Sequence, residues 1–277
     1  MMFIEKEWLK DRLNNSQVRI VDCRFHLQQK ELGQQQYNQD HIPGAIYFHL
    51  EKDLSSAVTE HGGRHPLPNL ENFKQTLEKV GFRKNDLIVA YDGGDVAFAT
   101  RFMWMMKYVG HDQVFVLNGG YNQWKEAGYP TEQTVSNFPA SAYQLDVQEH
   151  LLAHYEEIKH ISQTAPDNKI LIDSRDYKRF AGKEEPIDKR PGHIPNAINY
   201  PWSDGVENST LLGKDKQQER FQNLDRNKEI IVYCGSGVTA TPNYFALKEA
   251  GFDNVKVYIG SYSDWVSYDD NPVETEK

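Results

Sequence analysis

The chain has 277 residues, long for one hydrophobic core and comfortable for two domains of about 140 residues each. Its net charge of -9 disfavours nucleic acid and anionic lipid as main partners, since both demand clustered Lys and Arg, while leaving room for a local cationic pocket, and no run of about 18 apolar residues predicts a membrane span. Two cysteines, Cys23 and Cys234, make neither a disulfide framework nor a zinc knuckle, and the opening residues carry no apolar signal core, so a soluble, cytoplasmic protein with one working thiol is expected.

In chain order, the first strong signal is Val18-Arg19-Ile20-Val21-Asp22-Cys23-Arg24, a strand with Cys23 placed just after it as a packing residue. The box His41-Ile42-Pro43-Gly44-Ala45-Ile46 follows, and Leu87-Ile88-Val89-Ala90-Tyr91 predicts a second strand that ends at Asp92. Phe98, Phe102, Met105, Met106 and Val109 fall on one face of a helix closed by Gly110. A buried strand at 114–117 and the segment Gly119-Gly120-Tyr121-Asn122-Gln123-Trp124 come next. From Tyr129-Pro130 to Pro139-Ala140-Ser141-Ala142 the chain is polar, broken by proline and without a sustained period.

The pattern then begins again. Lys169-Ile170-Leu171-Ile172-Asp173-Ser174-Arg175 matches the first strand, and His193-Ile194-Pro195-Asn196-Ala197-Ile198 matches the box; Asp173 stands 151 residues after Asp22, and His193 stands 152 after His41. Glu229 to Cys234 aligns with Leu87 to Asp92, Gly251 to Val255 with Gly110 to Val114, and Gly260 to Trp265 with Gly119 to Trp124. β-branched runs alternating with helical segments predict an α/β class with parallel strands and crossover helices. The chain therefore divides into an N-terminal copy at 1–135, a linker at 136–150 and a C-terminal copy at 151–277. Residues kept in both copies are assigned structural tasks. Arg24 and Arg175 partner a nearby carboxylate or backbone carbonyls, His41 and His193 fix a turn rather than hold a metal, and Trp124 and Trp265 pack. The polar end 273–277 is expected to fray.

Cys234 differs between the copies, because its counterpart is Asp92. It ends the run Ile230-Ile231-Val232-Tyr233 and opens Cys234-Gly235-Ser236-Gly237-Val238-Thr239-Ala240, before a helix expected from Pro242. A strand that runs through a glycine-bearing turn into a helix aims amides and the positive end of the helix dipole at the turn, surroundings that favour a thiolate and cradle an anion. Glycine at 235 and 237 allows positive φ and close approach of a ligand. Asp92 cannot act as such a nucleophile and would repel an anionic substrate.

The paired repeats, the HIPGA and HIPNA boxes and the CGSGVTA loop resemble the tandem-domain rhodanese family, the thiosulfate and 3-mercaptopyruvate sulfurtransferases. The resemblance implies two rhodanese-like domains, each a parallel sheet flanked by helices, with catalysis in the second only. It implies a Cys234 persulfide formed from a small anionic donor, held by the loop of Gly235, Gly237, Val238 and Thr239, and passed to a thiol, thioredoxin or cyanide without metal or organic cofactor. Arg179, just before Phe180, matches the family's substrate arginine. The further arginine that mercaptopyruvate members carry before the second box falls by simple counting on Asp188, with Arg190 as the candidate close by. A proton relay maps onto Ser236, His65 and Glu51, the last two counted with the first domain. Gly235-Ser236 resembles enzymes that use 3-mercaptopyruvate, whereas Glu185-Pro186-Ile187-Asp188 resembles thiosulfate-using relatives; the first donor is favoured. A cysteine phosphatase would need arginine where Ala240 stands, and a noncatalytic sulfur carrier would be told apart by its failure to turn over.

Overall fold

The computed structural model describes residues 2–276, which gather into two compact units. The first holds the chain up to Ser56, Pro68–Gln148 and Asn208–Thr210; the second holds Ala57–Leu67, Glu149–Glu207 and the chain from Leu211 onward.

In the first unit, β1 (Phe3–Ile4) and α1 (Lys6–Lys10) lead through β2 (Val18–Asp22), α2 (Leu32–Gln39), β3 (Ala45–Tyr47), α3 (Leu70–Lys79), β4 (Leu87–Tyr91), α4 (Ala97–Tyr108) and β5 (Val114–Leu117) to α5 (Gly120–Glu126). The strands form a parallel sheet in the order β1-β5-β4-β2-β3. Period-two alternation supplies both faces: on β4, Val89 and Tyr91 join a core with Ile20, Tyr37, Ile42 and Trp124, while Ile88 and Ala90, also buried, turn to the side covered by α4. The sequence predicted one apolar face for α4. Among its residues only Lys107 escapes full burial, because the helix is enclosed on all sides.

The later elements are α6 (Tyr155–Thr164), β6 (Lys169–Asp173), α7 (Tyr177–Phe180), β7 (Ala197–Asn199), a short ribbon of β8 (Val206–Glu207) and β9 (Thr210–Leu211), α8 (Lys214–Arg220), β10 (Glu229–Tyr233), α9 (Ala240–Ala250), β11 (Val255–Val257) and α10 (Ser261–Trp265). The main sheet of the second unit is parallel, in the order β11-β10-β6-β7. Ile231 and Tyr233 of β10 share a core with Ile158, Phe180, Tyr262 and Trp265, and α9 packs on β10 and β11. The fold class is α/β, with a parallel sheet flanked by helices in each unit.

The two copies keep one register: Asp22 pairs with Tyr91 as Asp173 pairs with Tyr233. Arg24 Nη2 donates to Asp22 at 2.6 Å and to the Asp40 carbonyl at 2.6 Å; Arg175 Nη2 donates to Asp173 at 2.6 Å and to the Gly192 carbonyl at 2.7 Å. Each guanidinium also lies over a tyrosine ring, Tyr121 and Tyr262 respectively. His41 Nδ1 sits 2.7 Å from the Tyr37 carbonyl and His193 Nδ1 2.8 Å from that of Phe180, so both rings fix turns. Trp124 and Trp265 are buried and donate to the carbonyls of Pro130 and Pro272.

Several boundaries differ from those read in the sequence. Residues 136–148, expected as part of a linker, pack in the first unit: Ser141 N–H donates to the Glu78 carbonyl, Gln148 N–H to that of Tyr108, and buried Tyr143 stacks on His111. The segment Ala57–Leu67, counted with the N-terminal copy, belongs to the second unit. Gly62 N–H donates to Asp264 at 2.7 Å, His61 Nδ1 lies 2.8 Å from Ser267 Oγ, and the His61 ring stacks on Tyr268 at 3.8 Å. The expected frayed end is pinned as far as it is described, since Glu274 and His193 exchange backbone hydrogen bonds and Glu276 N–H reaches the Ala181 carbonyl; Lys277 lies outside the described residues. Helix α9 starts two residues before Pro242, which occupies the first turn, where no intrahelical N–H bond is missed.

Candidate active site

Strand β10 delivers Cys234 to a buried position, and the start of α10 fixes it there. Cys234 N–H donates to Ser261 Oγ at 3.1 Å, the same hydroxyl lies 3.9 Å from Sγ, and the carbonyls of Cys234 and Gly235 accept from Tyr262 and Ser263 N–H at 2.9 Å each. Ser261 takes φ +56, where its repeat counterpart Gly120 takes φ +60. A left-handed serine costs roughly 1–3 kcal/mol and persists only when its surroundings hold it, here through those bonds and a further one to the Tyr258 carbonyl at 2.9 Å. The sequence reading passed over Ser261; the exchange of glycine for serine between the repeats was its signal.

The two loop glycines play different parts. Gly237 takes φ +74, and a methyl group there would lie 2.3 Å from the Ile259 carbonyl oxygen, so only glycine fits. We expect Gly237→Ala to destabilise the protein by about 1–3 kcal/mol in urea unfolding and to abolish activity; a fully active, equally stable variant would remove this role. Gly235 does not adopt the positive φ expected of it. Its lack of a side chain leaves space instead, for a methyl group there would lie 2.9 Å from Arg64 Nη2 and 3.5 Å from Arg179 Nη1. Beyond them Val238 is buried and Thr239 is the residue from which α9 starts.

The first unit shows what such a strand-turn-helix cradle can hold. Asp92 stands in the place of Cys234, and its carboxylate accepts N–H groups from Gly94, Val96, Phe98 and Ala99 at 2.9 to 3.1 Å. Burial nevertheless pushes its carboxyl above the ordinary range against the pull of these amides. This cradle is filled by its own side chain. Cys23 is buried, and its thiol is pushed well up by burial and by Asp22, Asp92 and Asp53, which leaves it inert.

The segment Ala57–Leu67 brings His65 and Arg64 to the Cys234 loop. His65 Nδ1 lies 2.9 Å from Ser236 Oγ, with both side chains buried. Glu51 belongs to the first unit, where its carboxylate pairs with Lys30 at 2.8 Å. Arg179 Nε and Nη2 donate to the two oxygens of Glu185 at 3.2 and 2.8 Å, and Nη2 also reaches Asp188 at 2.8 Å. Asp188 in turn pairs with Arg64, and Glu185 with Arg175 at 3.1 Å. Burial pushes the Asp188 carboxyl up, outweighing Arg64, whereas for Glu185 the hydrogen bonds from Arg179 and neighbouring amides outweigh burial and hold it below the usual range. Arg190 is placed elsewhere, donating to the carbonyls of Asn271 and Tyr268 at 2.8 and 3.2 Å. Neither Arg64 nor the bridging task of Asp188 was read from the sequence. A thiol in a pinned turn, a hydroxyl-imidazole pair and two guanidiniums over the next residue form an arrangement suited to covalent chemistry on a small anion.

Comparison with known proteins points to sulfur transfer. The family described as Rhodanese-like domain matches residues 5–127 and 155–268. A probable 3-mercaptopyruvate sulfurtransferase of Pseudomonas aeruginosa is 36% identical, covering 96% of this chain and 95% of its own. A putative thiosulfate sulfurtransferase, SseB, of Mycobacterium tuberculosis is 33% identical over 92% of this chain and 90% of its own. Among solved structures, that of SseA from Escherichia coli, described as a 3-mercaptopyruvate sulfotransferase with the rhodanese fold, superposes with a TM-score of 0.85 at 29% identity, over 95% of this chain and 99% of that one. No helix among the described residues is long and apolar enough to cross a membrane. With a Rhodanese-like domain matched in each half of the sequence, the chain belongs to the rhodanese family and is a sulfurtransferase.

Proposed function

We propose that the enzyme moves sulfur from 3-mercaptopyruvate through a persulfide on Cys234, and that Ser236 and His65 manage the proton. The thiolate attacks the donor sulfur, the new S–S bond forms as the C–S bond breaks, and the electron pair leaves on carbon as the enolate of pyruvate. That enolate needs a proton. The observation that carries this reading is the 2.9 Å approach of His65 Nδ1 to Ser236 Oγ, two residues after Cys234: the hydroxyl can protonate the leaving carbon and be recharged by the imidazole. Glu51 is assigned the third place in the relay. Thiosulfate would leave as sulfite, whose departure needs no proton at carbon.

The amides of the 235–239 loop and the first turn of α9 supply the positive field for the persulfide, as those around Asp92 do for a carboxylate. Gly237, Val238 and Thr239 form that wall, and Arg179 binds the donor's anionic end. A thiol, reduced thioredoxin or cyanide then removes the outer sulfur, and a cysteine that must stay reduced suits the cytoplasm.

The test is a comparison of kcat/KM for the two donors in wild type and Ser236→Ala. A relay predicts that the variant loses about 10²- to 10⁴-fold with 3-mercaptopyruvate and far less with thiosulfate. Equal losses on both donors would remove the relay, and a wild type that prefers thiosulfate would overturn the donor assignment.

A further inference from the structure

The proton relay gives no task to Arg64, which stands beside the donor-binding Arg179 above Gly235. Arg64 and Arg179 reach this point from separate segments, and each leaves a terminal nitrogen open towards Gly235. Arg64 Nη1 is committed to Asp188 Oδ1, while Arg179 Nε and Nη2 are committed to Glu185 and Asp188 Oδ2. Arg64 Nη2 and Arg179 Nη1, the nitrogens nearest Gly235, carry no hydrogen bond among the described residues. Arg64 also keeps about a third of its side chain (32%) exposed, against 1% for Arg175, which is consumed by Asp173, Glu185 and the Gly192 carbonyl. Asp188 is buried and grips one guanidinium with each oxygen. Such a bridge holds two like charges side by side.

We propose that Arg64 and Arg179 form a paired guanidinium site for the donor's carboxylate above Gly235, with Asp188 as the bridge that positions the pair and sets its charge. The proposal rests on the reading of the enzyme as a user of 3-mercaptopyruvate. Two open nitrogens on neighbouring guanidiniums match the two oxygens of a carboxylate, and a glycine at 235 lets both guanidiniums close on the loop where a methyl group would meet them. Charge then selects the donor. Arg64, Arg175 and Arg179 stand against Asp173, Glu185 and Asp188, so the cluster is formally neutral. A monoanionic keto acid can be held beside the Cys234 thiolate by directed hydrogen bonds. A dianion such as thiosulfate meets the same thiolate without a net positive charge to offset the repulsion.

The experiment pairs donor kinetics with pyruvate binding by calorimetry, in wild type, Arg64→Ala, Arg64→Lys and Asp188→Asn. Arg64→Ala should raise KM for 3-mercaptopyruvate by about 10- to 100-fold, the worth of a hydrogen bond to a charged group, leave kcat within a few-fold, and weaken pyruvate binding in parallel. Arg64→Lys keeps the charge without the fork and should recover only part of the affinity. Asp188→Asn adds one positive charge and should raise kcat/KM for thiosulfate relative to 3-mercaptopyruvate. If Arg64 merely seats His65, its loss lowers kcat and spares pyruvate binding, which overturns the proposal, as does a wild type that binds no pyruvate. Should Arg64→Ala fail to fold, Arg64→Lys with unchanged KM and pyruvate affinity overturns it equally. A wild type that binds pyruvate but turns over neither donor defeats the sulfur-transfer reading instead, and the pyruvate arm still decides the role of Arg64.

Discussion

Cys234→Ser should fold as the wild type does and transfer no sulfur from either donor. The side chain is 1% exposed, and the exchange of sulfur for oxygen keeps its shape. The bonds that pin this turn run through the backbone N–H and carbonyl of residue 234 and the hydroxyl of Ser261, none of which the exchange removes. A serine hydroxyl at neutral pH is a far poorer nucleophile than a thiolate, and the other cysteine, Cys23, is buried with its thiol pushed well up by burial. Turnover should fall to the background rate with urea unfolding unchanged. Retained turnover in a variant of normal stability would contradict the assignment of the nucleophile.

Asp173→Ala should cost about 3–5 kcal/mol in urea unfolding, the expected penalty for leaving a buried charge without its partner. Asp173 is fully buried and takes both Nε and Nη2 of Arg175, whose side chain is 1% exposed. The orphaned guanidinium keeps Glu185 and the Gly192 carbonyl, so it is drawn toward the carboxylate that also holds Arg179. A rise in donor KM should therefore accompany the loss of stability. Asp22→Ala, in the equivalent pair with Arg24, should cost a similar amount. A loss below about 1 kcal/mol, the worth of an exposed ion pair, would show that Arg175 finds compensation elsewhere.

The repeat made most of the fold legible. Strands buried on both faces read as β-branched runs, and a shift of about 150 residues that shortens to about 140 after the second box aligned them, which gave two α/β copies and set Cys234 against Asp92. What recurs in both copies could be assigned to structure before any coordinates, and Arg175, His193 and Trp265 keep to that assignment. Long-range docking was not legible. Nothing local in Ala57–Leu67 announces that it packs with the second unit, since the contacts that hold it, Gly62 to Asp264 and His61 to Ser267, join residues about two hundred positions apart. Arg64 was missed for that reason, although it adjoins His65. Arg190 was weighed by its sequence distance from the second box, whereas its guanidinium is taken by the carbonyls of Tyr268 and Asn271. Gly235 was read for its backbone freedom when its missing side chain matters more.

The central claim is that the Cys234 sulfur accepts and holds a second sulfur atom. Incubation of the purified protein with 3-mercaptopyruvate in the absence of an acceptor, followed by intact-mass measurement and peptide mapping, tests it most directly. The account predicts one added sulfur per chain, located on Cys234, absent from Cys234→Ser and discharged by cyanide or a thiol. A protein that turns over the donor while Cys234 stays unmodified would contradict it.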